Sequence, residues 1–184
     1  MQQLQLTENE KADLLGERLV KAVGKSGCLI IEELAKTCRV CIRDKSRVPQ
    51  WVVELAVYYM HFVHRLAFVH LGRESGESFC GRFNEAVKRA LLRTPSPGIS
   101  SGDLAELLHD TYNRRQPEYA RYVLERPGKN APLAGTLFWE FTKILMGFLS
   151  DQSPAIVFYV SSLVATTTVD VIQDEMEVKE VLLT

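Results

Sequence analysis

Apolar side chains run almost without interruption through residues 50–71, and the few polar positions there fall on one side. A helix that is apolar nearly all round is buried. Glu54, Tyr58, His61 and Arg65 recur at steps of four, three and four residues, so they form one stripe along such a helix. The pattern therefore predicts the buried central helix of an all-α fold.

Helical periodicity predicts two helices before the central one. Thr7 and Glu10 form a capping-box pattern, and apolar residues then recur at helical spacing up to Gly24. A shorter second helix is predicted over residues 28–40. A basic connector follows and is closed by Pro49, which disfavours helix at the residue before it.

Turn signals separate the next two helices. The sequence predicts a turn over residues 72–76 and an amphipathic helix over 77–93. Two prolines and a glycine make residues 94–101 a loop. Ser101 is expected to cap a helix over residues 102–115.

The last third of the chain is less regular. Prolines bracket a short segment of helical character, EYARYVLER, before a strongly apolar helix predicted over residues 134–149. Ser153 and Pro154 match an N-cap and a first-turn proline. Residues 155–183 are rich in β-branched side chains, which favour strands. Because no other run offers a pairing strand, we predict one long, largely buried helix whose acidic end is exposed.

The elements add up to a single-domain, all-α bundle of about six or seven helices over residues 1–184. A chain of 184 residues with 46% apolar and 24% charged content suits an ordinary soluble domain with its own core. The formal net charge of -1 argues against a general nucleic-acid binder, which would carry an excess of Lys and Arg.

The N-terminal residues, the cysteines and the longest charge-free run bear on the location of the protein and on membrane contact. The N-terminal residues show neither a basic leader nor an apolar core, and the four cysteines have no regular framework of spacings. These features favour a cytoplasmic protein. The charge-free run over residues 152–169 contains many Ser and Thr residues, so no membrane span is expected.

A structural zinc site is one candidate for chemistry. Cys38, Cys41, His61 and His64 supply the thiolates and imidazoles that zinc prefers. The gap between the two pairs is longer than the usual finger spacing, and a chain with this much core gains little from a structural metal. Free thiols and locally bonded histidines are the favoured alternative. A redox role for the cysteine pair is disfavoured, because no βαβ unit is predicted.

The polar stripe on the central helix is a second candidate. If it faced inward, its carboxylate and imidazoles could hold a metal or act as acid and base. An unpaired Glu54 or Arg65 inside would be costly, so the stripe is expected to lie outward or to be paired with other side chains.

A third candidate rests on a short resemblance. The run Leu107-Leu108-His109-Asp110 resembles, over these four residues, the His-Asp doublet of the HD-domain metal-dependent phosphohydrolases, an all-α family. The resemblance implies a divalent cation that activates water against a phosphoester. His70 and Asp170 would supply the remaining histidine and aspartate. The alternative is a surface helix whose last turn carries His109.

Two further binding hypotheses remain open. Basic residues interleaved with tyrosines are compatible with an anion or partner patch at Arg114, Arg115, Arg121 and Arg126, although the ordinary charged surface of a loop-rich segment is the favoured explanation. An apolar small molecule inside the bundle is compatible with the aromatic residues at Trp139, Phe141, Phe148, Phe158 and Tyr159, although a packed core is the favoured explanation.

The sequence favours a non-enzymatic interaction or regulatory module over an enzyme. Its expected partners are another protein, through the acidic end of the last helix, or a second copy, through the apolar part of that helix. No cofactor is expected under this hypothesis. The alternative is a metal-dependent protein that holds zinc or another divalent cation at one of the two sets above.

Overall fold

A computed structural model describes residues 6–94, 98–124 and 134–184. It confirms the all-α class, since the described residues form helices joined by turns and two isolated β-bridges, Ile42 to Leu149 and Val123 to Thr136. The helices are α1 (Glu8–Cys38), α2 (Val48–Leu71), α3 (Arg73–Arg93), α4 (Ser101–Tyr119), α5 (Leu137–Met146), α6 (Pro154–Asp170) and α7 (Val178–Leu183).

Helix α2 is the central element, as predicted, and begins two residues earlier than expected because Pro49 lies in its first turn. Proline is tolerated there, since the first N–H groups of a helix have no partner within it. Helices α1, α3, α4 and α7 all pack against α2. Trp51, Tyr58 and Tyr59 are its largest fully buried side chains.

The predicted break after Gly24 is wrong, because α1 continues without interruption to Cys38. Glycine weakens a helix by only about 1 kcal/mol relative to alanine. Tertiary contacts offset that cost, since α1 packs along α3 and also against α2. Gly27 lies against Leu55 and Trp51, where there is little room for a larger residue.

The boundaries of α3 and α4 also differ from prediction. Residues 72–76 are not a turn, because α3 begins directly after Gly72 and Gly76 packs against Phe68. The cap of α4 is Ser100, whose hydroxyl accepts a hydrogen bond from the backbone of Asp103. This helix also runs on to Tyr119, with Pro117 in its last turn.

Beyond α4 the helical part of EYARYVLER ends at Tyr119, and the rest of that segment from residue 125 lies outside the described residues. Thr136 caps α5 by accepting from the backbone N–H of Trp139, so the helix begins at Leu137 rather than at residue 134. Ser153 precedes α6 without a capping hydrogen bond from its side chain.

The prediction of one long helix over residues 155–183 is wrong, because α6 ends at Asp170 and α7 begins only at Val178. After α6 the backbone forms a π-helical turn over Val171–Glu175, and Glu177 then adopts the left-handed conformation with φ of 50°. Helix α7 folds back so that Val178, Val181 and Leu182 are buried. The acidic end therefore offers no free amphipathic helix, because its apolar side already packs against α1 and α2.

Candidate functional site

The polar stripe of α2 faces α4, and its first member is a buried carboxylate. Glu54 is only 1% exposed. Arg115 donates to both of its oxygens, from Nε at 2.9 Å and from Nη2 at 3.1 Å. Arg114 adds a third hydrogen bond at 3.0 Å. The stripe is therefore turned inward and paired, rather than left as a solvated edge.

Arg115 holds this arrangement together. Its Nη1 also donates to Glu118 at 2.7 Å, one turn along α4. Burial acts to lower the pKa of Arg115, but the hydrogen bonds to Glu54 and Glu118 outweigh it and raise that pKa. The guanidinium thus remains charged and fixes the register of α4 on α2.

His61, one turn beyond Tyr58, has both ring nitrogens engaged. Arg65 donates from Nε to His61 Nε2 at 2.8 Å, so that nitrogen carries no proton. The proton is on Nδ1, which donates to the Gln116 side-chain oxygen at 2.8 Å. Gln116 in turn donates to the backbone oxygen of Val57. The hydrogen-bond partners therefore select one neutral tautomer of His61.

Arg65 extends the same network to the end of α4. Its Nη2 donates to the backbone oxygens of Tyr119 and Tyr122, at 3.0 and 2.7 Å. Tyr119 is the last residue of α4, and its carbonyl also accepts a hydrogen bond from the Tyr122 backbone N–H at 3.1 Å. Burial lowers the pKa of His61, and the hydrogen bond to Gln116 offsets only part of this effect. A protonated His61 would lose the acceptor that positions Arg65.

His64 belongs to a second network, with α3. Its Nε2 lies 2.8 Å from the side-chain oxygen of Asn84, whose amide donates to the Tyr112 hydroxyl at 2.9 Å. The histidine is only 8% exposed. Burial lowers its pKa to about 4, and His61 adds to the effect while Asn84 opposes it.

We expect this buried histidine to make the protein less stable in mild acid. Since the pKa of His64 is about 4 in the folded state and about 6.5 when unfolded, stability is complete above pH 6.5 and falls steadily as the pH drops toward 4. The expected loss is about 2 kcal/mol at pH 5. Urea denaturation at a series of pH values measures it.

The matched control for this prediction is His64→Phe, which keeps an aromatic ring but cannot be protonated. Its free energy of unfolding should depend less on pH over the same interval, with the remaining slope due to His61 and other groups. An unchanged pH dependence in His64→Phe would contradict the assignment to His64.

An open cleft of about 750 Å³ lies beside the first network, lined among others by His61, His64, Arg65, Phe68, Gln116 and Tyr122. Its rim is partly apolar, since Phe68 and Val123 are both substantially exposed. The polar groups of its floor are engaged with one another. Both ring nitrogens of His61 are engaged within the protein, by Arg65 and by Gln116.

The structure does not bring the predicted zinc residues together. Cys38 ends α1, and the exposed Cys41 lies beside Ser150, in the connector before α2. His61 and His64 lie more than three turns into α2 and face α4 and α3. Among the described residues, no three His, Cys, Asp or Glu side chains are grouped as a metal ion would require.

The residues that resemble the phosphohydrolase doublet are also dispersed. His109 bonds to the Asn113 amide on the outer side of α4, where Asp110 is exposed. His70 lies in the last turn of α2, and the exposed Asp170 ends α6. In the described part of the chain these four side chains form no common metal-binding group.

The predicted anion patch is largely neutralised by its own chain. Arg114 and Arg115 both bind Glu54, and Arg115 binds Glu118 as well. Arg121 is exposed, and Arg126 lies outside the described residues. The two arginines on α4 thus hold the bundle together, and their charge is already balanced by carboxylates.

A different surface stands out on α6. Its buried side packs in the bundle through Val160, Val164 and Thr168. Its opposite side is exposed but carries no charged residue between Pro154 and Val169. A surface helix normally places charged residues on its outer side. We define the α6 face by its exposed residues and an adjoining tryptophan from α5: Trp139, Ala155, Phe158, Ser162, Thr166 and Val169.

Aromatic rings dominate one end of the α6 face. The Phe158 side chain is 57% exposed, and its ring lies 5.5 Å from that of the half-buried Trp139. From the sequence, both rings were expected in a packed core or at an internal ligand site. The signal that identifies the face is the absence of charged residues from Pro154 to Val169 although one side of α6 is exposed, because a surface helix normally carries charged residues on its outer side.

Two helical stretches, Lys45–Leu71 and Pro154–Leu183, are long and apolar enough to cross a membrane by length and composition. The core helix of a soluble protein passes the same test. In the first stretch 72% of the apolar window is buried inside the protein, against 39% in the second, which contains α6. Of these two stretches, the one that contains α6 is covered less by the rest of the described chain.

Comparisons with protein-family models, curated proteins and solved structures found no significant match for this chain. What defines the protein is therefore its own geometry: an all-α bundle, clamped through polar contacts on α2, with a charge-free face on α6.

Proposed function

We propose that this chain is a non-enzymatic helical interaction module that associates with a second copy of itself through the α6 face. The observation that carries the proposal is an exposed helical surface without charge from Pro154 to Val169. Exposed apolar patches of this kind commonly mark interaction sites. Phe158 and Trp139 are of the residue types enriched at the centres of protein interfaces.

A second copy suits this face better than a charged partner or an anionic membrane. In a two-fold dimer the same patch meets itself, so two uncharged faces bury no unpaired charge. The residues around the ends of α6, Asp151, Asp170 and Asp174, are acidic and exposed, and they would be repelled by an anionic lipid surface.

The expected dimer is weak and reversible. A helix of 17 residues is about 25 Å long, which gives a contact at the small end of the range for protein interfaces. We therefore expect a dissociation constant in the micromolar range, with Phe158 as the main anchor.

The test is Phe158→Asp, compared with the wild type by sedimentation equilibrium over a wide range of concentration. The substitution should weaken dimerisation by about 30-fold, because it places a carboxylate in a desolvated interface, an effect of about 2 kcal/mol. Val69→Asp is the matched control, since Val69 is an exposed apolar residue on α2, 75% exposed, outside the α6 face.

A wild-type chain that remains monomeric at high concentration would refute the proposal. So would an unchanged dimer in Phe158→Asp. Binding to neutral lipid vesicles by a monomeric wild type, lost in Phe158→Asp, would assign the same face to a membrane instead.

A further inference from the structure

The C-terminal segment, residues 171–184, lies on the rest of the protein like a bound peptide. Its apolar side chains Met176, Val178, Val181 and Leu182 are at most 5% exposed. They fill a groove between α1 and α2, the two long helices that α7 contacts. The acidic side chains of the segment lie on its outer side, with Asp174, Glu177 and Glu180 exposed.

Basic residues of α1 clamp this segment along its length. Lys11, Arg18 and Lys25 are spaced seven residues apart, so they lie in one row on the helix. Lys25 forms an ion pair with Glu175. Arg18 donates to the Met176 backbone oxygen at 2.8 Å and to Glu177 at 2.7 Å.

At the far end of the same row, Lys11 donates to the backbone oxygen of Leu182 at 3.1 Å. The basic row therefore contacts the side chains of Glu175 and Glu177 and also the backbone of the segment. Such a combination of an apolar groove with complementary charges at its rim is the way in which proteins bind short amphipathic helices.

The connection from α6 to α7 is irregular enough to act as a hinge. It consists of the π-helical turn Val171–Glu175 and of Glu177 in the left-handed region, which costs a residue other than glycine about 1 kcal/mol. Helix α7 has six residues, too few to be stable alone in water. The groove, rather than the chain connection, is what keeps it folded.

We infer that the groove between α1 and α2 accepts this same C-terminal segment from a second copy of the chain. The apolar contacts and the charged row depend on the sequence of the segment and not on which copy it belongs to. The inference rests on the self-association proposed above, to which it adds a second contact, but it is tested independently of the α6 face.

The experiment uses a fluorescent peptide of wild-type residues 171–184 and the full chain with Val181→Asp and Leu182→Asp. These changes remove two of the four apolar side chains that fill the groove and place two carboxylates there. Fluorescence anisotropy should show binding to this variant and at least tenfold weaker binding to the wild type, whose groove is occupied. The same variant carrying Phe158→Asp should bind the peptide equally well, which separates this result from the fate of the α6 dimer.

The charged row supplies the specificity control. A peptide with Glu175→Lys and Glu177→Lys should bind at least tenfold more weakly, and Arg18→Glu with Lys25→Glu in the protein should restore its binding. If the anchor variant fails to fold by circular dichroism, Glu175→Lys with Glu177→Lys in the full chain replaces it, because these changes leave the apolar contacts in place.

Two results would overturn the inference. One is a folded anchor variant that binds no peptide at millimolar concentration. The other is peptide binding without any heterodimer when the anchor variant is mixed with the wild-type chain, since the groove would then not accept the segment from a second copy.

Discussion

Replacing Glu54 with leucine should lower the free energy of unfolding by about 3–5 kcal/mol, the usual cost of removing one partner from a buried ion pair. The carboxylate is 1% exposed, and it receives three hydrogen bonds from Arg114 and Arg115. Without it the guanidinium of Arg115, whose side chain is 16% exposed, keeps only Glu118 as a partner. Urea denaturation at neutral pH measures the change.

Two variants identify the cause of this loss. Arg114→Ala removes the more exposed partner, whose side chain is 55% exposed, and should cost about 1 kcal/mol or less. The double variant Glu54→Leu with Arg115→Leu should recover most of the stability, because an apolar pair replaces the buried ion pair. The two charges that lose a partner, Arg114 and Glu118, have side chains that are 55% and 34% exposed, so water can solvate them. A loss below about 1 kcal/mol in Glu54→Leu alone would show that the pair contributes little.

The polar stripe on α2 shows what the periodicity of a sequence can predict and what it cannot. The spacing of Glu54, Tyr58, His61 and Arg65 correctly placed these side chains on one side of a buried helix. It could not reveal what that side faces, because Gln116 and the two arginines of α4 lie far away in sequence. Tyr58 shows the same limit, since its hydroxyl bonds to Thr168 at 3.1 Å and its ring stacks on Phe141.

The glycines of α1 show why local signals misplace boundaries. Gly24 was expected to end a helix, yet it lies well inside one. A glycine ends a helix when the backbone needs a positive φ, but inside a helix it also serves to let another element approach closely. Gly16 has the second use, since it lies against Ala86 of α3, whereas Gly24 has nothing within 4 Å. The sequence of α1 alone does not distinguish these cases, because α3 lies far away in the chain.

The prediction of one continuous helix in the C-terminal segment was wrong for a different reason. Neither glycine nor proline marks the end of α6, so nothing local predicts the left-handed Glu177. The chain turns there because Met176 and the apolar side of α7 are buried against α1 and α2, and because Arg18 holds Glu177. The acidic residues, interpreted as a free surface for partners, partly serve to hold this segment in place.

Gly16→Val is the second substitution for which we expect a large loss, about 3 kcal/mol of unfolding free energy. A Cβ atom at Gly16 would lie 2.9 Å from both the backbone carbon and the Cβ of Ala86, and 3.0 Å from the nitrogen of Val87. None of these atoms belongs to a flexible side chain, so α1 and α3 must separate. Thermal and urea denaturation should both show the loss.

Gly24→Val is the matched control, because it places the same side chain in the same helix at a position with nothing within 4 Å. Valine has a better helix propensity than glycine, so its effect should stay within about 0.5 kcal/mol of zero. Gly16→Val with Ala86→Gly should recover only part of the loss, since the backbone atoms of α3 remain in the way. Equal effects of the two glycine substitutions would show that helix propensity, and not the contact between α1 and α3, determines the result.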